Sequence, residues 1–335
     1  MSGPHRTPRL GLFLDLRNPA AWRRPWADHY AATLELVAEA ERLGAASVWA
    51  TEHHFFDDGY LPQPLTFLAA APARTPRVPQ GPAVVLAALR HPLHLAEEAA
   101  VVDLVSAGRL ELGIGAGYRQ PEYEAFGKDL GRRMSLTDEA AAQVRDLLWS
   151  GELLPPPVQD RMPIWMGYQG PRGARAAGRL GLGLLSLRRQ LLEPYTDGLR
   201  EAGHDASIAR MGGVVDLIVA DDPEKAAHEL APHYAHQLDS YARSAVEGTG
   251  RAMPAPAPVD VDSLPEQVLA EEPARLAVRD VDGAVELLRS RTAGLPVEHV
   301  YLWASIAGMP DHLVERHVEL TFGEVARRLA ATAGS

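Results

Sequence analysis

The chain has 335 residues, a length that suits either two ordinary domains or one large barrel. Apolar residues make up 46% and charged residues 23%, which is typical of a globular protein with a sizeable core. The formal net charge of −11 and the interspersed signs argue against a nucleic-acid-binding surface. The absence of cysteine excludes disulfides, thiolate catalysis and cysteine-ligated zinc.

The beginning of the chain, MSGPHRTPRLGLFLDLRN, has no apolar stretch long enough for a secretory signal. No run of 18 apolar residues occurs anywhere else, so the sequence predicts no membrane span. We therefore expect a cytoplasmic protein.

In the first half of the chain, short apolar segments alternate with longer segments of helical periodicity. The apolar segments predict four buried strands, at 9–15, 46–51, 81–87 and 109–115. The periodic segments predict four helices, at 28–44, 64–74, 91–108 and 137–151. Gly44 and Gly108 end two of these patterns, and glycine commonly ends a helix because it adopts a left-handed conformation.

The second half keeps the alternation with less regular spacing. Four further strands are predicted, at 163–167, 181–186, 213–220 and 297–303, and the last helix covers 311–331. Eight continuous apolar strands alternating with helices predict a parallel sheet covered on both faces, and eight such units over this length favour a closed (β/α)8 TIM barrel. No GxGxxG motif follows the first strand, which argues against an open dinucleotide-binding sheet. We expect one domain over 1–335.

A proline-rich segment interrupts this pattern, with prolines at 254, 256, 258, 265 and 273. Proline breaks both helices and sheet ladders, so the segment cannot be a single helix or strand. The sequence predicts an excursion from the barrel at about 247–278, which either covers a binding site or is disordered.

Polar residues follow the second predicted strand in the run WATEHHFFDDGY (49–60). Glu52, His53 and His54 would emerge at the carboxyl ends of the barrel strands, where active sites of this fold lie. Imidazole can give or take a proton near neutral pH. The alternative is that one histidine packs in the core and the other is solvated.

Three other strand ends face the same side. His91 follows the third strand, where it either joins a site or caps the next helix. Gly113, Gly115 and Gly117 allow close backbone approach to a ligand or tight packing. After the fifth strand, Gly170 precedes a helix that begins at Pro171 or Arg172, and free N–H groups at a helix start favour an anion.

These motifs, in this order, resemble the bacterial luciferase-like flavin monooxygenase superfamily. The resemblance covers most of 9–186 and returns at 297–320. It rests on four motifs: ATEHHF (50–55), VVLAALRHPLHLAEEAAVVDLVSAGRLELGIGAGY (84–118), YEAFG (123–127) and PIWMGYQGPRGARAAGRLG (163–181).

The resemblance implies a TIM barrel that binds reduced FMN, or the deazaflavin coenzyme, at the carboxyl face of its strands. It implies His53 as the active-site histidine, with Glu52 and His54 beside it. It also implies a cofactor site, with a non-prolyl cis peptide under the flavin ring and a phosphate-binding side. The cofactor residues are Ala83, Val84, Gly115, Ala116, Gly117, Tyr118, Arg133, Gln169, Gly170 and Arg172.

The sequence departs from the family pattern at two places. Ala116 stands where luciferases carry an arginine, which removes one expected phosphate contact, and Arg119 or Arg133 are candidate replacements. GLGLL (181–185) stands where GDGW is frequent. These departures leave FMN and the deazaflavin coenzyme open as cofactors.

The favoured function is a two-component monooxygenase, because no NAD(P)H-oxidising domain is evident and a separate flavin reductase would supply reduced FMN. Its substrate would be a small organic molecule, with Phe55, Phe56 and Tyr60 as candidate pocket walls. The alternatives are a deazaflavin-dependent hydride-transferring oxidoreductase, which the scarcity of lysine disfavours, and a non-catalytic flavin-binding protein. A metal-dependent hydrolase is disfavoured because adjacent histidines on a strand point to opposite sides. The resemblance further implies a homodimer, and the Ala-, Arg- and Pro-rich composition is associated with secondary metabolism.

Overall fold

A computed structural model of the protein describes residues 8–248, 257–273 and 275–331. The strands within these ranges are β1 (Arg9–Leu14), β2 (Ser47–Ala50), β3 (Gln80–Pro82), β4 (Val85–Leu86), β5 (Leu112–Gly115), β6 (Ile164–Met166), β7 (Gly183–Leu185), β8 (Met211–Val214), β9 (Leu217–Val219), β10 (Ala277–Arg279) and β11 (Val297–Trp303). The α-helices there are α1 (Trp26–Leu43), α2 (Pro64–Ala70), α3 (Pro92–Val105), α4 (Gln120–Ala125), α5 (Arg133–Trp149), α6 (Pro171–Arg179), α7 (Leu192–Glu201), α8 (Pro223–Val246), α9 (Leu264–Leu269), α10 (Val281–Thr292), α11 (Asp311–Leu320) and α12 (Ala326–Ala331).

The main sheet is parallel and has the strand order β3-β2-β1-β11-β8-β7-β6-β5-β4. Its two outermost members, β3 and β4, are consecutive pieces of one predicted strand, and β4 pairs with β5. A parallel bridge between Gln80 and Leu110 also joins the β3 side to the start of β5. The sheet therefore closes on itself as a barrel of eight strands, with β3 and β4 counted as one, which confirms the predicted TIM barrel.

The third predicted strand, 81–87, is split by the peptide bond between Ala83 and Val84, which is cis. The Val84 side chain occupies the space beside two glycines, one at the end of β5 and one directly after β6. A Cβ on Gly115 would lie 2.2 Å from a Val84 methyl carbon, and a Cβ on Gly167 would lie 2.6 Å from the other one. Glycine is therefore required at both positions for the Val84 side chain to fit between the strands.

The seventh predicted strand, 213–220, also consists of two pieces. β8 belongs to the barrel and pairs with β7 and β11, whereas β9 leaves it and pairs with β10. Val215 and Asp216 form the break between the two pieces. The break places Asp216 at the rim of the barrel mouth instead of in the wall.

The helix ends agree with their sequence signals. Gly44 caps α1 with φ of 113°, and Gly108 follows α3 with φ of 80°. His91 is the N-cap of α3, and its Nδ1 accepts a hydrogen bond from the backbone N–H of Leu93 at 3.2 Å. His91 therefore serves as a helix cap, one of the two roles predicted for it.

The described part of the proline-rich segment is short and folded. It contains a 3₁₀ turn at Val261–Ser263 and helix α9, whose Leu264 and Val268 pack into the same apolar cluster as the buried face of α8. Residues 249–256 and 274 of the predicted excursion lie outside the described residues. Within the ranges that the structure describes, no helix is both long and apolar enough to cross a membrane.

Candidate active site

Two cavities open at the carboxyl ends of the barrel strands. The larger one, called here the barrel-mouth cavity, has a volume of about 960 Å³ and is bordered by Ala83, Val84 and Gln169 among others. The smaller one, called here the aromatic cavity, has about 520 Å³ and is bordered by Tyr118 and Tyr241. They share the lining residues Val214, Asp216 and Arg275. Together they match the expected position and size of a ligand site in this fold.

His53 is paired with a buried carboxylate. Its Nδ1 lies 2.9 Å from Oε1 of Glu122, a residue of the short helix α4 whose side chain is fully buried. With Glu122 ionised, Nδ1 carries the proton and donates it, so Nε2 has its lone pair free. Nε2 makes no hydrogen bond within the described chain. The arrangement can accept a proton at Nε2 from a bound molecule and can return it.

Aromatic rings surround the imidazole of His53. The ring centroids of Tyr60, Tyr118 and Phe56 lie 4.9, 5.1 and 5.2 Å from it. Tyr118 borders the aromatic cavity, and the Tyr60 hydroxyl lies 3.2 Å from the hydroxyl of Tyr241, which borders it too. Phe56 and Tyr60, two of the three predicted pocket-wall residues, therefore lie beside His53, and neither is among the residues that border the two cavities. The third, Phe55, is 62% exposed to solvent.

Glu52 and His54 lie in a different polar network, behind the strand ends. Glu52 Oε1 is 3.0 Å from His54 Nε2 and accepts a hydrogen bond from Arg90 at 3.2 Å. Its Oε2 accepts one from the backbone N–H of Leu86 in β4, at 3.1 Å. Both residues are buried, and their hydrogen bonds connect the end of β2 to β4. This arrangement gives Glu52 and His54 a positioning role, with no described contact to either cavity.

A buried arginine follows β1 and was not found by sequence reasoning. Nη1 of Arg17 donates to Asp58 at 2.5 Å and to Ser240 of α8 at 3.0 Å. The guanidinium also lies over the rings of Tyr60 and Tyr241, each 4.6 Å from the centroid. Such cation–π contacts fix the orientation of the rings. Arg17 therefore holds the aromatic wall beside His53 and joins it to α8.

Titratable groups around Arg17 have shifted pKa values. Burial raises the pKa of Asp15 to about 6, against the opposing effect of Arg17. Burial also raises the pKa of Tyr241 to about 12. Asp58 behaves oppositely: burial would raise its pKa, but hydrogen bonds from His236 and Arg17 hold it below its usual value.

The four predicted cofactor residues at the end of β5 and directly after it have individual structural roles. Gly115 leaves room for Val84, and Gly117 has φ of 63°, a left-handed conformation that turns the chain. The carbonyl of Ala116 accepts a hydrogen bond from the Tyr123 hydroxyl. Tyr118 is bonded to Ser244 of α8 at 3.1 Å, and burial raises the pKa of its phenol.

The predicted phosphate-side residues lie at two helix starts. Gly170 is the N-cap of α6 and offers no side-chain cap, and a Cβ there would meet nothing within 4 Å. Gln169 borders the barrel-mouth cavity and donates to the carbonyl of Leu185 at 2.9 Å. Arg172 is an exposed residue in the first turn of α6, and Arg133 is the first residue of α5, with Nη1 3.3 Å from the carbonyl of Leu130.

Glu122 is the main site residue that sequence reasoning missed. A usable signal was present, since a carboxylate in the first turn of a short helix lies directly before the YEAFG motif. Arg17 had a similar signal, because Asp15 and Arg17 follow β1 at the carboxyl end of the barrel. Among the described residues, no three His, Asp or Glu side chains are grouped so as to hold a metal ion.

The family profile described as luciferase-like monooxygenase matches residues 9–288. The chain therefore belongs to the luciferase-like monooxygenase family. This assignment agrees with the barrel and with the site at its carboxyl face, and it makes the protein an oxidoreductase.

Individual relatives differ in cofactor. The F420-dependent glucose-6-phosphate dehydrogenase of Amycolatopsis mediterranei is 29% identical over 55% of this chain and 61% of its own length. The oxygenase component of the flavin-dependent trigonelline monooxygenase of Acinetobacter baylyi is 30% identical over 45% of this chain and 47% of its own length. The chain thus spans less than two thirds of each of these two relatives.

A solved structure shows the same fold over nearly the whole chain. The monooxygenase RslO1 from Streptomyces bottropensis superimposes with a TM-score of 0.78, covering 96% of this chain and 99% of its own, at 23% identity. At this identity the likeness establishes the fold only.

Proposed function

We propose that the protein is an FMN-dependent monooxygenase that receives reduced FMN from a separate flavin reductase and oxygenates a small organic substrate. The observation that carries the proposal is the barrel-mouth cavity, which at about 960 Å³ has room for a flavin ring and a substrate together. The oxygenase component among the relatives supports the two-component arrangement. Bound reduced flavin would supply the electrons that activate O2.

The residues around the cavity fit this cofactor. Ala83 and Val84 form an apolar part of its lining, suited to the flavin ring. The start of α6, after Gly170, has backbone N–H groups without a side-chain cap, and a Cβ on Gly170 would meet no atom within 4 Å. Such a helix start, with Arg172 in its first turn, suits the flavin phosphate, and Arg133 would replace the arginine missing at position 116. Arg119, the other candidate replacement, is buried and donates to the His54 carbonyl and to Glu247 instead.

His53 would handle a proton in this reaction. Glu122 orients the imidazole, and the rings of Phe56, Tyr60 and Tyr118 shield it from water. Nε2 would then exchange a proton with the substrate or cofactor in the water-poor site. Glu52 and His54 would contribute by holding the strand ends in place.

The second candidate is a deazaflavin-dependent oxidoreductase that transfers hydride. It is supported by the F420-dependent relatives, one of which, from Nakamurella multipartita, aligns over 90% of this chain at 26% identity. The same cavity would hold that coenzyme. A non-catalytic flavin-binding role remains the third reading.

Two parallel titrations separate the candidates. Purified protein is titrated with anaerobically reduced FMN or with reduced F420, and air is then admitted while absorbance is recorded. We expect saturable binding and a long-lived absorbance that differs from both reduced and oxidised FMN. Binding of reduced F420 in place of FMN, with no such absorbance, would establish the second candidate. Binding without any reaction would support the non-catalytic role.

We further propose that the protein is a homodimer through α3. Four side chains of this helix are apolar and between 39% and 53% exposed: Leu93, Val101, Leu104 and Val105. Exposed apolar side chains concentrated on one helix are typical of an interface. Sedimentation equilibrium should give a dimer for the wild type and a monomer for V101E/V105E, and a monomeric wild type would refute the proposal.

A further inference from the structure

Four arginines converge on one side of the barrel-mouth cavity. Arg188 and Arg189 follow β7, Arg275 precedes β10, and Arg291 lies in the last turn of α10. The only acidic residue in the described lining is Asp216. This cluster of positive charge contrasts with the net charge of −11 of the whole chain. Charge concentrated in a cavity against the overall sign attracts ligands of opposite charge.

Most donors of the four guanidinium groups are available. Arg188 uses Nη1 to donate to the carbonyl of Gln169 at 3.0 Å, and Arg189 uses Nη2 to donate to the carbonyl of Ala293. These bonds anchor the two side chains. Arg275 and Arg291 make no hydrogen bond to any residue that the structure describes, although their charges act on Asp216. Each guanidinium has five N–H donors that suit a carboxylate or a phosphate.

Asp216 does not neutralise the cluster. One of its oxygens accepts a hydrogen bond from the Trp303 indole at 2.6 Å. Burial raises the pKa of this carboxyl, while the Trp303 hydrogen bond and the charges of Arg275 and Arg291 oppose the increase. The described lining therefore holds one carboxylate and four guanidinium groups, and its net charge is positive.

The rest of the cavity lining indicates what kind of ligand fits. Phe13, Val84 and Tyr301 form an apolar part of the lining, and the arginines come from the β7, β10 and α10 side. The uncapped helix start proposed for the cofactor phosphate is at α6, after β6. The arginine cluster is thus separate in the chain from the residues proposed for that phosphate. An organic molecule with an apolar body and an anionic end would suit both parts of the cavity.

We propose that Arg188, Arg189, Arg275 and Arg291 bind an anionic group, a phosphate or a carboxylate, that belongs to the organic substrate. The apolar part of this substrate lies toward Phe13 and Tyr301. The proposal rests on the proposed function, because it assigns the substrate class of the same oxidoreductase site.

The test measures anion binding by the full-length protein with isothermal titration calorimetry. The probe is phenyl phosphate, and benzyl alcohol is its uncharged counterpart. The test variant is R275Q/R291Q, which removes the two arginines that make no described hydrogen bond. The matched control is R42Q/R200Q, which removes two exposed arginines from the outer helices α1 and α7. This control has the same net charge as R275Q/R291Q.

We expect phenyl phosphate to bind the wild type and R42Q/R200Q equally, and R275Q/R291Q at least about tenfold more weakly, the effect of losing charge-assisted hydrogen bonds. Benzyl alcohol should bind all three proteins with the same low affinity. Absence of saturable phenyl phosphate binding to the wild type at millimolar concentrations would overturn the proposal. Equal affinity in both double variants would overturn it as well.

The same proteins are titrated with reduced FMN and with reduced F420, so that the anion can be attributed to substrate or cofactor. Equal cofactor affinity in wild type and R275Q/R291Q supports a substrate subsite. A cofactor affinity that falls with the two arginines would assign them to the cofactor phosphate and overturn the proposal. If no protein binds either cofactor, the proposed function fails, while the phenyl phosphate result still decides the anion site.

Discussion

The two ends of the barrel use similar polar residues in different ways. At the amino-terminal end, Glu111 Oε2 accepts a hydrogen bond from the Trp165 indole at 2.8 Å and lies 3.0 Å from His299 Nε2, while Oε1 lies 3.4 Å from Arg9. At the carboxyl end, Oε2 of Glu122 has no hydrogen-bond partner among the described residues. Both carboxylates are buried beside a histidine.

The difference separates a carboxylate whose two oxygens are both paired from one that keeps an unpaired oxygen. Burial would raise the pKa of Glu111, but the hydrogen bond and charge of His299 hold it below the usual value. Its partners are thus arranged for a charged group that stays in place. In the Glu122–His53 pair, Glu122 Oε2 and His53 Nε2 have no hydrogen-bond partner among the described residues, and neither residue is among those that border the two cavities.

The largest expected effect comes from breaking the amino-terminal cluster. E111A leaves the Trp165 indole N–H and His299 Nε2 buried without a partner, which should destabilise the fold by about 4 kcal/mol. Urea unfolding followed by circular dichroism measures this. E152A, at an exposed position, is the control and should change stability little. An unchanged unfolding midpoint for E111A would contradict the structural role.

A buried histidine elsewhere in the fold should make stability depend on pH. Nδ1 of His317 accepts from the Val219 N–H at 2.9 Å, so its neutral Nε2–H donates to the Trp303 carbonyl at 3.0 Å. Burial lowers the pKa of His317 to about 4. In acid the unfolded chain therefore takes up this proton first, and stability falls as pH decreases from about 6.5 to about 4, by roughly 3 kcal/mol.

The variant H317Q isolates this effect, because glutamine can both accept and donate without titrating. The wild type should lose more unfolding free energy than H317Q between pH 7.5 and pH 4.5. Burial raises the pKa of Asp15 to about 6, so its contribution to the stability of the protein has the opposite pH dependence and decreases as pH increases. Asp15 is present in both proteins, so its contribution cancels in the comparison. Parallel pH profiles for the two proteins would refute the role of His317.

At the carboxyl end, H53A should reduce turnover by about a hundredfold, within the usual contribution of a general acid or base. The fold should be little affected, because His53 is partly exposed and Glu122 Oε1 keeps the hydrogen bond from the backbone N–H of His54 at 2.8 Å. Turnover is compared by product formation or, before a substrate is known, by the lifetime of the transient absorbance after air is admitted. Turnover equal to the wild type would remove His53 from the reaction.

The smallest expected effect is that of E122Q, which keeps the amide oxygen as an acceptor for His53 Nδ1 but removes the charge. We expect about a tenfold loss of turnover with unchanged affinity for reduced FMN. Since Glu122 acts through His53, the double variant H53A/E122Q should be no worse than H53A alone. If H53A/E122Q instead lost activation free energy equal to the sum of the two single losses, Glu122 would have an independent role.

Local patterns in the sequence predicted the barrel because each signal depends on neighbouring residues. Apolar runs indicated the barrel strands, and Gly44 and Gly108 indicated helix ends. The same patterns could not show that the third strand is split at Ala83–Val84 or that β9 leaves the barrel at Asp216. Both features depend on which strands pair across the sheet, and a continuous apolar run is compatible with either outcome.

The sequence alone also determined which side of the barrel holds the site, since polar residues follow strands whose carboxyl ends share one face. Only the tertiary structure decided which of them act together. His53 and His54 are adjacent in sequence, yet the imidazole of His53 pairs with Glu122 and the imidazole of His54 pairs with Glu52. Arg188, Arg275 and Arg291 are far apart in sequence and border one cavity. Side-chain direction and the packing of distant segments fix these groupings, and neither is encoded in residue spacing.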